Sequence, residues 1–290
     1  MKVQFLGTGT STGVPQIGCN CTVCRSGDLR DKRLRASVRV EVADKSLVID
    51  CTPDFRQQML PLPFSKIDGV LLTHEHYDHV GGIDDLRPFS VFGPVDLFME
   101  EQLEHAIRER MPYCFGPVRY GGVPDIAIRK ISEKNSFYIG SVEVIPIRVM
   151  HFKLPILGYR IENFVYLTDV KIIPENEFDK LKNVDTLVIS ALRKKEHISH
   201  QTLDQALEIV DRIGPGKAFF THISHEMGLH EVVEKELPPH VMLAYEEGVL
   251  FQPGYFQAWH NLVFSLIIPL FKRAAGNKKL RKVFLLHFFN

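Results

Sequence analysis

The chain has 290 residues, of which 45% are hydrophobic and 24% are charged, and its formal net charge is zero. This composition is typical of a globular protein with a sizeable core, and it lacks the strong basic field of many nucleic-acid binders. The opening MKVQFLGTGT has the pattern of a strand entering a glycine loop, not that of a signal peptide. Three of the five cysteines cluster and two stand apart, so we expect no disulfide framework and a reducing cytoplasm.

Apolar runs alternate with helical patterns along most of the chain. In chain order, we predict strands at 2–6, 36–42, 46–50, 69–73, 141–149, 156–162, 163–169, 185–190 and 217–222, with strand character over 240–251. We predict helices at 54–60, within 96–111, at 174–181, from 202 to about 213, and at 230–237. The fourth helix begins with a capping box, Thr202 to Gln205, and stops at Gly214. This alternation indicates one α/β domain over residues 1–254.

The segment LLTHEHYDHVGG, residues 71–82, places three histidines, a glutamate and an aspartate within six residues, directly after an apolar run. Burying such a group is costly unless something compensates it, and a metal ion is the obvious candidate. His74, His76 and Asp78 share one face while the chain stays extended. A turn then brings His79 to the same region. Such a loop can serve two cations roughly 3.5–4 Å apart.

Three further ligand-type residues stand where apolar strands end. His151 follows SVEVIPIRVM, Asp169 follows FVYLT and His222 follows KAFFT. A lone histidine at a strand end is usually structural. Strand ends are nevertheless where α/β sheets gather their sites, and His74 stands in the same position. The recurrence predicts that these residues complete the metal centre.

THEHYDHVGG, together with these three residues, resembles the metallo-β-lactamase superfamily. The resemblance implies an αββα sandwich over residues 1–254, with two mixed sheets packed face to face, helices outside and two divalent ions (Mn or Zn) at one edge. It assigns one ion to His74, His76 and His151, and the other to Asp78, His79 and His222. Asp169 would bridge the ions, and the buried Asp50 would support the metal loop from behind. One departure is Tyr77, where a smaller residue is common.

CNCTVC contains Cys19, Cys21 and Cys24. Tetrahedral zinc has four ligands, so three thiolates would need one more. His225, three residues after His222, is the candidate. A disulfide switch or free thiols are the alternatives. With LGTGTSTGVPQIGCNCTVC and ALRKKEHISH, the chain resembles the PhnP-type cyclic phosphodiesterases, in which a structural zinc lies beside the two-metal centre.

EHISHQTLDQAL contains His197 and His200, and His200 stands just before the predicted helix. A helix N-terminus attracts anions, so His200 can hold a phosphate oxygen or donate a proton to the leaving group. The resemblance gives it the same role, as the active-site histidine that binds no metal. We interpret His197 as a solvated loop residue. Arg56 and Arg87 are equally good as substrate contacts and as structural ion pairs.

The function that we expect is hydrolysis of a cyclic phosphodiester, of the phosphoribosyl 1,2-cyclic phosphate type, by a hydroxide that bridges the two ions. Asp78 would orient that nucleophile as well as bind metal. The alternatives are a nuclease resembling tRNA 3′-processing enzymes, a thioester or lactone hydrolase, and a metal-binding protein without activity. We find no basic insertion that would grip tRNA, so we expect a small phosphodiester substrate and no nucleic-acid partner. A homodimer is common in the superfamily.

The last segment, residues 255–290, contains six basic residues and no acidic residue. Its apolar run, 262–271, is interrupted by Pro269 and is shorter than the roughly 20 residues that span a membrane. A basic segment flanked by Phe and Leu can lie on an acidic membrane surface. It can equally pack on the body or on a second subunit, or have no function, and we expect no catalytic role.

Overall fold

The computed structural model describes residues 1–115, 122–246 and 249–251. Contacts between Cα atoms divide the chain into two units, one formed by Val3–Val249 and the other by Met1–Lys2 with Leu250–Asn290. The larger unit contains every candidate site residue discussed below. The predicted tail, 255–290, lies outside the described residues, so its membrane contact, its packing and the domain boundary at 254 stay predictions.

The first sheet of the larger unit contains six strands whose spatial order follows the chain. These are β1 Lys2–Gly7, β2 Ser37–Val42, β3 Lys45–Ile49, β4 Gly69–Leu71, β5 Val95–Met99 and β6 Ile126–Lys130. The hairpin of β2 and β3 is antiparallel, whereas β3, β4, β5 and β6 run parallel to one another. The parallel strands bring their carboxyl ends to one edge of the sheet.

The second sheet contains seven strands, again in chain order. These are β7 Phe137–Ile139, β8 Val142–His151, β9 Leu154–Ile161, β10 Phe164–Leu167, β11 Thr186–Ser190, β12 Lys217–Thr221 and β13 Val241–Leu243. The first four form an antiparallel meander, and β10 to β13 are parallel. A short strand, β14 Val249–Phe251, begins where the larger unit ends.

Within the described residues, three α-helices have only four or five residues, and the other two have ten and eleven. The α-helices are α1 Phe55–Met59, α2 Tyr77–Val80, α3 Glu101–Arg110, α4 Leu203–Ile213 and α5 His230–Glu234. Segments of 3₁₀ helix lie at Leu29–Asp31, Ile83–Phe92, Pro112–Cys114 and Glu175–Leu181. The capping box at Thr202 and the left-handed Gly214 both appear at the ends of α4, as predicted. PENEFDKL forms a 3₁₀ segment where we expected an α-helix.

Burial of both faces of the central strands explains why these strands appear in the sequence as unbroken apolar runs. Leu187 and Ile189 of β11 pack into a cluster that includes Ala206 and Val210 of α4. Between them, Val188 points to the opposite face and is also fully buried. That second face meets the other sheet, where the rings of Phe5 and Phe219 lie 5.8 Å apart. Two mixed sheets are thus packed face to face with helices outside, which confirms the predicted αββα sandwich.

Candidate metal centre

The predicted ligands lie at one edge of the sandwich, just beyond the ends of four strands. The β4–α2 loop contributes His74, His76, Asp78 and His79, while His151 ends β8 and Asp169 and His222 follow β10 and β12. Their ligand atoms fall within 4.8 Å of one another in three overlapping groups. The groups are His74 with His76 and His151; Asp78 with His79 and His222; and His74 with His79 and Asp169. The structure therefore brings all seven side chains together.

The first group is the more open one. His74 Nε2 and His76 Nδ1 lie 3.0 Å apart, and the rings of His76 and His151 are 5.1 Å apart and nearly perpendicular. His76 is exposed, whereas His74 and His151 are buried. Solvent therefore reaches the centre on the side of His76.

The second group is closed around two carboxylates. His79 Nε2 lies 3.2 Å from Asp78 Oδ2 and 3.1 Å from Asp169 Oδ2. His222 Nε2 lies 3.5 Å from Asp78 Oδ2 and 3.3 Å from Asp169 Oδ1. The two oxygens of Asp169 thus face different histidines, which is the arrangement expected of a carboxylate between two cations.

Buried partners behind the histidines fix their orientation. His79 Nδ1 donates to Asp50 Oδ2 over 2.7 Å, and that carboxylate also accepts from the backbone and hydroxyl of Thr73. His151 Nδ1 donates to the carbonyl of Ser199 over 3.0 Å. In both rings the bond occupies Nδ1, so Nε2 is the atom through which the ring would bind a metal. Asp50 thus contacts a predicted ligand from behind, and its supporting role stays a prediction.

Three strand-end residues adopt a left-handed backbone conformation. Asp50, Asp169 and His222 have φ values of 64°, 53° and 56°. For residues other than glycine this conformation is uncommon and costs of order 1 kcal/mol or more each. Such strain persists where the surrounding structure demands it. Here it turns a side chain out of each strand direction and toward the centre.

The charge at the centre fits divalent cations. Burial raises the pKa of Asp169, but His222 and His79 outweigh it and hold that pKa well below its usual range. Burial lowers the pKa of His79, and Asp169, Asp78 and Asp50 reverse this and raise it well above normal. The Nε2 atoms of His79 and His222 are nevertheless buried without a hydrogen-bond partner. Unpaired nitrogens that converge on charged carboxylates are the donor set that Zn or Mn accepts.

The cysteine cluster has the geometry of a second, separate site. Cys19 Sγ and Cys21 Sγ lie 3.5 and 3.4 Å from His225 Nδ1, and all four ligand atoms, including that of Cys24, lie within 4.8 Å of one another. A hydrogen bond from the backbone of Cys24, followed by His225, lowers the pKa of Cys21 to about 6. The three cysteines of the cluster form no disulfide bond. Three sulfurs and one imidazole nitrogen at this spacing fit tetrahedral zinc, and thiolate is the form that binds it.

His200 lies at the centre, with its ligand atom within 4.8 Å of those of His151 and Asp169, although it belongs to neither predicted group of three ligands. Its ring stacks on His222 at 5.0 Å and lies 4.6 Å from the ring of His151. His200 Nδ1 is buried without a hydrogen-bond partner, 3.7 Å from Asp169 Oδ1. Burial, followed by repulsion from His222, lowers the pKa of His200 to about 3. His200 is therefore a neutral imidazole at pH 7.

The other side chains considered from sequence lie farther out. His197 is half-buried, its Nδ1 accepts from the backbone of Ser199, and its ring lies 5.0 Å from that of His200. Arg87 forms an exposed ion pair with Asp84, and Arg56 is exposed. The ring of Tyr77 is exposed and folds over Gly81, where an added Cβ would meet it at 2.8 Å.

Sequence reasoning missed Thr73, Ser199 and Lys171, which bind the ligands or the His200 loop from behind. Thr73 precedes His74 at a strand end, so its position alone was a usable signal. Ser199 acts through its carbonyl, which any residue would supply, and Lys171 binds mainly carbonyls. A contact to a carbonyl leaves no signature in the sequence.

Residues 45–223 match a family described as a beta-lactamase superfamily domain, and they include all seven predicted ligands. The chain belongs to this superfamily. The cysteine cluster and His225 lie outside the matched range. The superfamily assignment confirms the broader resemblance, whereas the PhnP-type branch stays a prediction.

Three similar proteins give more detail. It is 42% identical over 258 residues to an octanoyltransferase of Porphyromonas gingivalis, covering 88% of this chain but 52% of the relative, so it spans about half of that protein. A crystal structure described as a new diphosphatase from the PhnP family is 37% identical and covers 86% of this chain and 96% of its own, with a TM-score of 0.80. Zn²⁺-bound PqqB from Methylobacterium extorquens is 19% identical over 87% of this chain and 100% of its own, with a TM-score of 0.71, and shows the fold alone.

Within the described residues, no helix combines the length and the apolar character that crossing a membrane requires.

Proposed function

We propose that this protein is a metal-dependent phosphodiesterase that opens small cyclic phosphodiesters of the phosphoribosyl 1,2-cyclic phosphate type. The observation that carries the proposal is the position of His200. It lies outside the seven-residue ligand set, yet its ring is within 5.0 Å of two predicted ligand rings. If the same metal ligands served hydrolysis of a thioester or lactone, this histidine would have a smaller role in binding the substrate or protonating the leaving group. The 37% identity to a PhnP-family structure supports the same branch.

The seven predicted ligands would hold two divalent ions, Mn or Zn, and His74, His76 and His151 would bind one of them. Asp78, His79 and His222 would bind the other, with Asp169 between them. When bound, the ions would lower the pKa of water and neutralise charge on the phosphoryl oxygens. We also assign one structural zinc to Cys19, Cys21, Cys24 and His225, on the distances given above.

Residues of the chain itself would position the substrate and the attacking water. His200 is neutral, so it retains one N–H that can donate to a phosphoryl oxygen. A bound phosphate anion favours the charged imidazole and raises the pKa again, so the same group can protonate the departing ribose oxygen. His79 and His222 hold the pKa of Asp78 below its usual range despite burial, so its carboxylate can accept a hydrogen bond from the attacking water. One P–O bond forms to water, the ring P–O bond breaks, and a monoester results.

A second candidate is hydrolysis of a diphosphate, because the 37% identical structure is described as a diphosphatase. The same groups would serve, with one difference. A phosphate leaves without a proton more readily than a sugar oxygen does, so His200 would contribute less. The response of each substrate to loss of His200 therefore separates the two reactions.

The relative named octanoyltransferase raises acyl chemistry as a third possibility. About half of that relative lies outside the match, so its named activity has no necessary place in this fold. An octanoyl thioester and a tRNA precursor still belong in the first substrate panel, since they represent the acyl and nuclease alternatives.

The deciding experiment is phosphorus NMR of the full-length protein loaded with Mn, then with Zn, and incubated with ribose 1,2-cyclic phosphate. A nucleoside cyclic phosphate, a linear phosphodiester and a diphosphate run beside it. Cleavage of an octanoyl thioester is followed by thiol release, and cleavage of a tRNA precursor by gel electrophoresis. We expect the ribose cyclic phosphate to open to a single monoester faster than the other substrates react. Faster diphosphate cleavage would favour the second candidate, and thioester cleavage alone would contradict both.

We predict that His200→Ala lowers kcat for the cyclic phosphodiester by roughly 10²- to 10⁴-fold, because a positioned proton donor is lost. Metal content should stay unchanged, since His200 is in neither predicted group of three ligands. His197→Ala is the matched control, as it removes a neighbouring imidazole, and we expect less than about a 3-fold change. Full turnover by His200→Ala with both ions bound would show that the role assigned to His200 is wrong.

A further inference from the structure

Lys171 binds the loop that carries His200. Its Nζ donates to the carbonyls of His197 and His200 over 2.9 and 3.1 Å. It also contacts Glu196 Oε1 at 2.8 Å and Gln205 Oε1 at 3.3 Å. Within the described residues, we find no donor other than Lys171 for these two carbonyls. The Lys171 ammonium thus contacts oxygens at both ends of the 196–200 segment. It also contacts the side chain of Gln205, in the capping box of α4.

The backbone of Lys171 is held just as firmly. Its N–H donates to the carbonyl of Met150 over 2.8 Å, and Met150 N–H donates to Ile172 over 2.8 Å. Met150 precedes His151, and Lys171 itself stands two residues after Asp169. Through its backbone, Lys171 is fixed beside the strand ends that carry two predicted ligands. Through its side chain, it is bonded to the loop that carries His200.

The same loop supports a predicted ligand. The carbonyl of Ser199, which accepts from His151 Nδ1, stands between the two carbonyls that Lys171 binds. A shift of this segment would move both that acceptor and the His200 ring. Lys171 does not face a substrate itself, because four protein oxygens already surround an ammonium that has three protons.

We propose that Lys171 is a positioning residue of the active centre, holding residues 196–200 so that His200 and the Ser199 carbonyl stay beside Asp169 and His151. The catalytic part of this inference rests on the proposed function. The carbonyl contacts carry the effect. The ion pair with Glu196 adds little, because Glu196 is 68% exposed and exposed pairs are worth at most about 1 kcal/mol.

Lys180 offers a matched control elsewhere in the same unit. Its Nζ donates to the carbonyls of Glu133 and Pro146 and to Glu177 Oε2, at 2.8 to 3.0 Å. The two lysine side chains are similarly exposed, 18% for Lys171 and 26% for Lys180. Lys180→Met therefore removes a comparable set of bonds without touching the His200 loop.

The first measurement is hydrogen exchange of metal-loaded protein over residues 192–203. The amides of Leu192, Gln201 and Leu203 are hydrogen-bonded there and report on the loop. We expect Lys171→Met to accelerate their exchange about 10-fold or more, while Lys180→Met leaves them at the wild-type rate. If Lys171→Met does not fold, Lys171→Gln keeps an uncharged NH2 donor group on a shorter side chain and should give an intermediate acceleration. Exchange in the folded variant equal to wild type overturns the proposal.

The second measurement is a kinetic double-mutant cycle with His200→Ala. Lys171→Met should lower kcat about 10- to 100-fold with KM changed less than about 3-fold, the size of a displaced positioning contact. Glu196→Gln and Lys180→Met should keep kcat within about 2-fold. On a His200→Ala background, Lys171→Met should add less than about 3-fold, because it acts mainly through His200. A fully additive loss contradicts the positioning role. If the wild type cleaves no phosphodiester, the proposed function fails, and hydrogen exchange still decides whether Lys171 holds the loop.

Discussion

The two candidate metal sites are built in opposite ways. The histidine–aspartate centre draws on four strand ends spread over about half the chain, and its ligands are positioned by buried partners and by left-handed backbone at Asp169 and His222. The cysteine cluster takes three ligands from one six-residue segment, CNCTVC, and a fourth from His225. The first site exists only once both sheets have formed, whereas most of the second is local.

The difference extends to how each site meets solvent. At the histidine–aspartate centre His76 is exposed, and the ligand atom of His200 lies within 4.8 Å of those of His151 and Asp169, so one side of the centre is open to solvent. The cysteine cluster offers four ligands, the number that a closed tetrahedral zinc site requires and that is typical of a structural ion. Under the proposed function, the first site would react and the second would hold the loops in place.

A shared segment connects the two sites. His225 lies three residues after His222. Between them, Ile223 exchanges backbone hydrogen bonds with Thr8 and Thr10, in the loop that leads to the cysteines. If loss of one site disabled the other to the same degree, the two sites would not have the separate roles described above.

The largest effect should follow Asp169→Asn. The amide is nearly isosteric but neutral, so it removes the charge between the two predicted ions while leaving the backbone conformation accessible. We expect loss of at least one of the two ions from the centre and a fall in kcat of roughly 10³-fold or more. Metal analysis by mass spectrometry, together with turnover, measures both quantities.

The control for that variant is Asp179→Asn, which neutralises an exposed carboxylate paired with Lys182. It should leave metal content and turnover at the wild-type level. Retention of two ions and of normal turnover by Asp169→Asn would remove Asp169 from the ligand set.

A smaller effect on chemistry should follow Cys21→Ser. Serine is a poor zinc ligand at neutral pH, so we expect one equivalent of zinc to be lost and the melting temperature to fall by several degrees. Turnover at low temperature should fall less than about 10-fold, because His222 is also held by the Ile223 bonds. Cys114→Ser, at a buried thiol outside the cluster, is the control for losing a thiol.

Two other outcomes would change the comparison. Unchanged zinc content in Cys21→Ser would favour free thiols over a zinc site. Loss of turnover as complete as in Asp169→Asn would show that the cysteine cluster is part of the catalytic centre rather than its support.

The sequence predicted those parts of the site whose signal is local. H-x-H-x-D-H is recognisable because metal ligands need fixed spacing, and His151, Asp169 and His222 stand out because each ends an apolar run. Lys171 and Ser199 were not predicted, because their contacts are to or from carbonyls and join segments far apart in the chain. The neutral state of His200 follows from burial, which appears only after the strands have packed.

The fold shows the same division. Strands with strong apolar runs were found, whereas β5, Val95–Met99, was absorbed into the helical pattern that follows it directly. Strands β6 and β7 were missed because each is short and partly exposed, so neither alternation nor an apolar run marks it. Their place is set by pairing with β5 and β8, which a local pattern does not contain.

The smallest effect concerns the scaffold beneath both sites, at Glu246. Its carboxylate accepts from the backbone N–H groups of Thr8 and Leu34 at 3.2 and 2.9 Å, which anchors the loop that leads to the cysteines. Burial raises the pKa of Glu246 to about 7, although the guanidinium of Arg33 opposes the shift. A pKa raised by folding stabilises the protein fully below the unfolded value, near 4.3, and this contribution is lost as pH rises to about 7.

We therefore expect the free energy of unfolding to fall by up to about 3 kcal/mol between pH 4.5 and pH 7.5 because of this group alone. Glu246→Gln keeps the acceptor oxygen without a proton to lose, so urea denaturation should show a flatter pH dependence in the variant. Glu231→Gln, at an exposed carboxylate paired with Lys235, should retain the wild-type slope. Parallel slopes for wild type and Glu246→Gln would mean that Glu246 stays ionised in the folded protein, with Arg33 compensating its charge. The anchor beneath the two sites would then be an ion pair, and the stability of the loop would not depend on pH over this range.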